Sequence, residues 1–390
     1  MEQILNSSYY RETKIINAIK SRAQNATLNQ GIDQLQIVYD LYTYININTN
    51  ISSTNKINMI FLHGSGMNRS IWEYHISKMI DYLKTPTINW SINKIILMDQ
   101  VTHGDSGLLN KEKLGVEFNW NDGAKDACLV AQTEFYPLTN NNNDQEMRYF
   151  NVVVGHSMGG FQALACGALY PYLFNLIITV EPVVVQRNPF NSNDMTIMPE
   201  SFYNSLISKM DDCFDTELGY NEFMQKKSFY TKVHPIILKR LIEFEKIWSL
   251  RDGSEKLSTK MNKFQNILCY LTLNPGANWL IHNLQFIESP VINLTGENSK
   301  WTPPENEKLL RTKIKNYTLD PIPNGDHLVN IENPDETLRK IVFHISKFVT
   351  AESTREPTKP LSITQRQSKF ERDFVKFKDK RTRKTISSKL

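Results

Sequence analysis

Residues 149–161 read YFNVVVGHSMGGF. The first seven form a short, mostly apolar run, and the run stops at a serine with glycine two residues before it and two after. A run of this length and composition suits a strand buried on both faces. The residues that follow, FQALACGALYPYLF (161–174), keep a helical pattern as far as Pro171. A strand, a tight turn and a helix joined by G-x-S-x-G place Ser157 at the strand's carboxyl end with its hydroxyl exposed. Gly155 and Gly159 leave room for a turn that no Cβ could share. Without the strand and helix, the same five residues would be only a turn of small side chains.

Working outward, similar apolar runs occur at INMIFLH (57–63), KIILMD (94–99), NLIITVEPVV (175–184), SPVINLTGEN (289–298) and IKNYTLDPIPNGDHLV (314–329). Helical patterns lie between them, around Ile71–Leu83 and Ala124–Thr133, and an amphipathic helix follows in PDETLRKIVFHISKFV (334–349). Buried strands separated by helices predict an α/β fold with a mostly parallel sheet. The alternation in LQIVYDLYTYININT (35–49) predicts an antiparallel hairpin. Residues 186–286 break the pattern: they are rich in Phe, Tyr, Met and Lys, and stretches such as IILKRLIEFEKIWSL (236–250) have helical periods. The predicted organisation is therefore a core at 1–185 and 287–350, a helical cap inserted at 186–286, and a tail at 351–390. The asparagine-rich stretch at 139–145 reads as a surface loop without function.

The chain has 390 residues, 40% hydrophobic and 22% charged, a balance ordinary for a globular protein. No run is long and apolar enough for a membrane span, and the N-terminus lacks the apolar core of a secretory signal. Cys128, Cys166, Cys213 and Cys269 show no paired spacing, which predicts free thiols in a reducing compartment. The net charge of +4 divides unevenly: residues 351–390 hold 12 Lys and Arg against 5 Asp and Glu, leaving the remainder at −3. Such a tail is a feature of chains that meet nucleic acid or anionic lipid. No nucleic acid is expected, and the exposed end has a better reading: the chain finishes in Ser388, Lys389 and Leu390, the peroxisomal address S-K-L.

A serine hydroxyl needs a base, and in this architecture the order along the chain is nucleophile, acid, histidine. Of the eight histidines, His327 in NGDHLVN follows the last strand pattern and precedes the last helix, so it is the candidate base. His344 falls within that helix and reads as packing. The glycine-rich loop in FLHGSGMN (61–68) offers backbone N–H groups at Ser65 or Gly66, which with that of Met158 can bind a developing oxyanion. His63 reads as an anchor of this loop. The loop lacks the lysine and spacing of a phosphate-binding P-loop.

HGSGMN (63–68), DQVTHGDS (99–106), GHSMGG (155–160) and GDHLVN (325–330), in this order, resemble the α/β-hydrolase superfamily over about residues 35–350. WEYH (72–75), FNWNDGAKD (118–126), GHSMGGFQALAC (155–166), EPVV (181–184) and DHLVN with the following Glu332 and Pro334-Asp335 narrow the resemblance to the peroxisomal triacylglycerol lipases of budding yeasts. That resemblance implies a serine ester hydrolase of lipid degradation with a helical lid, no metal and no organic cofactor. A lipid or acyl-ester substrate goes with that reading, and the terminal S-K-L predicts import by the peroxisomal receptor into the matrix.

One departure stands out. Superfamily members often place the catalytic Asp after the seventh strand, where this chain reads TGENSKW with Ser299 at the position. A carboxylate is still required to hold the imidazole in the right tautomer. Glu181, directly after the sixth strand, is the leading substitute, with Glu297, Asp320 and Asp326 as alternatives. An acyl-CoA thioesterase would share the mechanism, whereas an epoxide hydrolase would carry Asp in place of Ser157. A non-catalytic binding protein of this fold is the reading from a different class.

Overall fold

The computed structural model describes residues 1–45, 54–135, 147–185, 199–251, 253–355 and 361–382. Residues 1–349 form one compact unit and residues 350–390 a second. In chain order the strands are β1 (Tyr9–Asn17), β2 (Gln36–Tyr44), β3 (Asn55–Leu62), β4 (Ser91–Met98), β5 (Arg148–His156), β6 (Leu176–Val180), β7 (Cys213–Phe214), β8 (Lys246–Arg251), β9 (Ser254–Thr259), β10 (Val291–Gly296) and β11 (Tyr317–Ile322). Eight of them make one sheet in the order β1-β2-β4-β3-β5-β6-β10-β11. The pairs β1·β2 and β2·β4 are antiparallel, and from β4 to β11 every neighbouring pair is parallel.

The apolar runs are explained by burial on both faces. On β5, Val152 and Val154 join a cluster with the helices Glu73–Leu83 and Pro334–Ser353, while Val153 faces the helices Trp120–Phe135 and Met158–Leu169. All three valines are inaccessible to solvent, each contributing roughly 1.5–3 kcal/mol by leaving water. The parallel strands all point their carboxyl ends to one edge, so the loops that follow β3, β5, β6, β10 and β11 gather there.

Two readings of the sequence are corrected. Residues 35–49 do not fold back as a hairpin. β2 is a single strand flanked by β1 and β4, and residues 46–49 lie outside the described residues. Its partner β1 is an edge strand whose side chains alternate in and out, with Arg11, Glu12 and Lys14 among them, so its apolar period is too weak to read. Nor does residues 236–250 make one helix: the helix Pro235–Glu245 ends at a buried carboxylate, and the chain continues as β8. β8 pairs antiparallel with β9, and β9 also pairs with β7. The inserted stretch thus has an antiparallel sheet beside its helices Glu200–Ile207, Glu217–Lys226, Lys263–Leu271 and Gly276–Asn283. The asparagine-rich stretch at 139–145 and residues 186–198 fall outside the described residues.

Candidate active site

Ser157 joins β5 to the helix Met158–Leu169 with φ 55° and ψ −114°, a left-handed conformation that costs a non-glycine residue. The turn is held by Ser157 N–H donating to Val180 O at 2.9 Å and Phe161 N–H donating to Ser157 O at 3.0 Å. The glycines are required by contact. A Cβ on Gly155 would lie 2.0 Å from Gly159 O, and one on Gly159 would lie 2.3 Å from Leu62 O.

His327, in the loop after β11, reaches the same point from the other side. Its Nε2 is 3.0 Å from Ser157 Oγ and its Nδ1 is 3.2 Å from Glu181 Oε2. Glu181 follows β6 with φ 50° and is 3% exposed. Its Oε1 accepts from Gly296 N–H at 2.7 Å and its Oε2 from Ser299 Oγ at 2.6 Å. Ser299 therefore orients the carboxylate from the place where superfamily members often keep one. The alternative acids point elsewhere. Asp320 is paired with Lys340 and with His344 Nε2 at 2.8 Å. Asp326 accepts the backbone N–H of His327 at 2.8 Å, and Glu297 that of Asn324 at 3.4 Å.

The glycine-rich loop after β3 comes to the same edge, and here one expectation is corrected. Gly66 N–H is directed away onto His103 Nε2 at 3.1 Å, so it is not available to an oxyanion. Ser65 N–H and the first-turn N–H of Met158 remain as the candidate pair. Gly66 is gripped from both sides, because its carbonyl accepts a short hydrogen bond from Tyr230 Oη. Burial, reinforced by His63, pushes the His103 pKa well below the usual imidazole range. The ring is thus neutral, and since Nε2 accepts, Nδ1 carries the proton and donates to Thr102 Oγ1 at 2.8 Å. His63 is likewise buried and neutral, its pKa lowered to about 4 chiefly by burial. Its Nε2 accepts from Gln100 N–H at 3.2 Å and its Nδ1 meets Gly64 O at 2.9 Å. Beneath the loop, buried Arg69 is paired with Asp40, Asp99 and Asp105.

Three residues around the pocket were not singled out from the sequence. His156, inside the serine motif itself, donates from Nε2 to His327 O at 2.9 Å; burial, with His327 second, lowers its pKa to about 3. Trp301 stacks on the His327 ring, centroids 4.9 Å apart and planes 18° from parallel. Tyr230 comes from the inserted stretch, more than 160 residues from the loop it holds. Only His156 had a local signal, its place beside the serine. A pocket of about 230 Å³ opens onto Ser157 and His327; Phe229, Tyr230, Tyr270 and Trp301 give it an aromatic wall, and Lys232, Asp326 and Glu332 also line it. Among the described residues, no three His, Cys, Asp or Glu side chains group as a metal site, and no helix is long and apolar enough to cross a membrane. The four cysteines are free.

A parallel sheet with a strained serine at the end of β5, and a histidine and carboxylate meeting it from later loops, defines an α/β hydrolase. The chain belongs to the alpha/beta hydrolase family, whose sequence model matches residues 59–340. It is 38% identical to the Peroxisomal membrane protein LPX1 of Saccharomyces cerevisiae, with 100% of each chain covered. The crystal structure of the peroxisomal alpha-beta-hydrolase Lpx1 from the same yeast superposes with a TM-score of 0.78 at 39% identity, covering 97% of this chain and 99% of that one. A more distant likeness is 27% identity over 133 residues, 34% of this chain and 28% of the other, to the type I acyl-CoA thioesterase mpaH' of Penicillium brevicompactum.

Proposed function

We propose that the protein is a peroxisomal carboxylic ester hydrolase, a triacylglycerol lipase that works through an acyl-enzyme on Ser157. The observation that carries this reading is the unbroken line from Ser157 Oγ to His327 Nε2 and from His327 Nδ1 to Glu181 Oε2, at 3.0 and 3.2 Å. Ser157 Oγ attacks the ester carbonyl carbon and passes its proton to His327 Nε2. The carbonyl oxygen becomes an oxyanion against the N–H groups of Ser65 and Met158. Glu181 balances the imidazolium across Nδ1, and the face of Trp301 stabilises the same cation. The tetrahedral centre collapses, the leaving alcohol takes the proton from Nε2, and the acyl group stays on Ser157. Water then attacks the acyl-enzyme, giving its proton to His327, and the acid leaves as Ser157 recovers its hydrogen.

The inserted stretch supplies Phe229, Tyr230 and Tyr270 to the pocket, which supports reading it as a cap that selects the acyl chain. Charge at the pocket favours an acyl ester over acyl-CoA. Lys232 stands there with both Asp326 and Glu332, and the polyphosphate of CoA would meet more negative than positive charge. The peroxisomal location rests on the full-length likeness to a peroxisomal yeast protein and on Ser388-Lys389-Leu390, which lie outside the described residues and would be read by the import receptor.

A fluorophosphonate probe followed by a substrate panel tests the reading. The folded protein is expected to label while Ser157→Ala does not, and triacylglycerols are expected to outpace short esters and acyl-CoAs. An unlabelled folded protein would mark a binding protein, and faster turnover of acyl-CoA a thioesterase.

A further inference from the structure

The helix Ile363–Arg381, in the second compact unit, is exposed along its whole length. It is a well-formed element rather than a frayed tail, opened by a capping box in which Ser362 Oγ accepts from Gln365 N–H and Gln365 Oε1 accepts from Ser362 N–H. Ile363, Phe370, Phe374 and Phe377 fall in one row at steps of seven, four and three. The three phenylalanines are 69%, 54% and 61% exposed, and Phe370 and Phe374 stack with centroids 6.1 Å apart. Beside this row runs a second strip, made of Arg366, Lys369, Lys376 and Lys380. Its one acid is Asp373, paired to Lys369. Over the whole helix seven basic residues face three acidic ones.

We propose that this helix lies on an anionic lipid surface, with the phenylalanine row in the acyl boundary and the basic strip among the headgroups. A row of bare aromatic side chains bordered by Lys and Arg is the pattern of a helix lying in the membrane interface. The charge of the strip complements anionic headgroups, and the row needs an apolar phase that a free phosphate or a nucleic acid does not provide. A second helix fits less well. In a heptad frame Ile363, Phe370 and Phe377 take the first position, but the fourth is held by Arg366, Asp373 and Lys380, so half of the seam would bury charge. The helix is also too charged to span a bilayer. The inference stands apart from the ester-hydrolase reading, since it uses no residue of the site.

The test is co-flotation of the full-length protein with vesicles of phosphatidylcholine, with and without phosphatidylserine. Binding to the anionic vesicles is expected to exceed that to the neutral ones by about ten-fold or more and to weaken with salt. The triple change Phe370→Ser, Phe374→Ser, Phe377→Ser and the triple change Lys369→Glu, Lys376→Glu, Lys380→Glu are each expected to abolish flotation. The thermal unfolding of both variants, dominated by residues 1–349, is expected to match the parent, whether or not the protein hydrolyses esters. No flotation with anionic vesicles overturns the proposal. So does full binding by the phenylalanine variant, which would reveal a polyanion site, or flotation lost to neither set of changes. Concentration-dependent self-association that disappears with the phenylalanines, without lipid binding, would assign the row to a second copy instead.

Discussion

Replacing Glu181 with Gln removes one charge and keeps the shape, so it isolates what the carboxylate does. Its Oε2 lies 3.2 Å from His327 Nδ1, with both groups buried. At an effective dielectric of about 20, a full charge pair at that separation is worth about 5 kcal/mol to the imidazolium, or roughly four decades in rate. A second, independent effect acts in the same direction. Gly296 N–H donates to Oε1, so the glutamine oxygen takes that place and its NH₂ turns toward Ser299 and His327. The imidazole must then accept at Nδ1 and carry its proton on Nε2, facing Ser157, where it cannot act as base. The expected loss in kcat is about 10²–10⁴-fold, in line with carboxylate removal from such triads, read on a soluble chromogenic ester. Glu297→Gln and Asp320→Asn should leave kcat within about two-fold, because their partners lie outside the site. Adding Ser299→Asp to Glu181→Gln should recover part of the rate by returning a carboxylate through the neighbouring loop. A Glu181→Gln protein with native kcat would refute the whole assignment of the acid.

Tyr230→Phe removes the hydrogen bond to Gly66 O without emptying the pocket; kcat should fall about ten-fold with KM little changed, since the bond fixes the loop that carries the neighbouring Ser65 N–H rather than the substrate, and an unchanged kcat would release Tyr230 from that role. Glu245 is a buried carboxyl whose pKa is raised to about 7, chiefly by burial, although Met261 N–H and Asn68 Nδ2 both donate to it. Because the folded value lies above the ordinary carboxyl value of 4.5, its contribution to stability is full below that pH and is lost as pH rises through about 7, by about 3 kcal/mol. Denaturant unfolding between those pH values should show this decline in the parent and a flatter profile in Glu245→Gln; parallel profiles would contradict it.

The parts of the site that were legible in the sequence are those whose geometry is local. Ser157 is fixed by glycines two residues away on each side and by the strand and helix that meet there. His327 could be placed because it follows the last strand pattern in a glycine-containing loop. Tyr230, Trp301 and His103 have no such local signature. Tyr230 touches Gly66, Trp301 stacks on His327 and His103 accepts from Gly66 only after the sheet has brought separate loops to one edge. The same limit explains the mistaken donor. Sequence places Ser65 and Gly66 side by side, but only the fold shows that the second N–H turns back onto a histidine. β1 was missed for a different reason: an edge strand needs little apolar side-chain content, since its partner β2 supplies the backbone hydrogen bonds.

The place of the Glu181 carboxylate follows from sheet geometry. β6 and β10 are adjacent parallel strands, and Glu181 N–H donates to Leu294 O at 2.9 Å where they end. A carboxylate leaving either strand end can therefore occupy nearly the same point in space. From β10 the loop carries its side chain a few residues past the strand, as Ser299 does. From β6 the carboxylate must come from the residue directly after the strand, with a backbone turned to φ 50° and one methylene more than Asp provides. The hydroxyl of Ser299 stands at the exit from β10 and donates to Glu181 Oε2 at 2.6 Å. What the geometry fixes is the position of a negative charge beside Nδ1, and two neighbouring strand ends are both able to supply it.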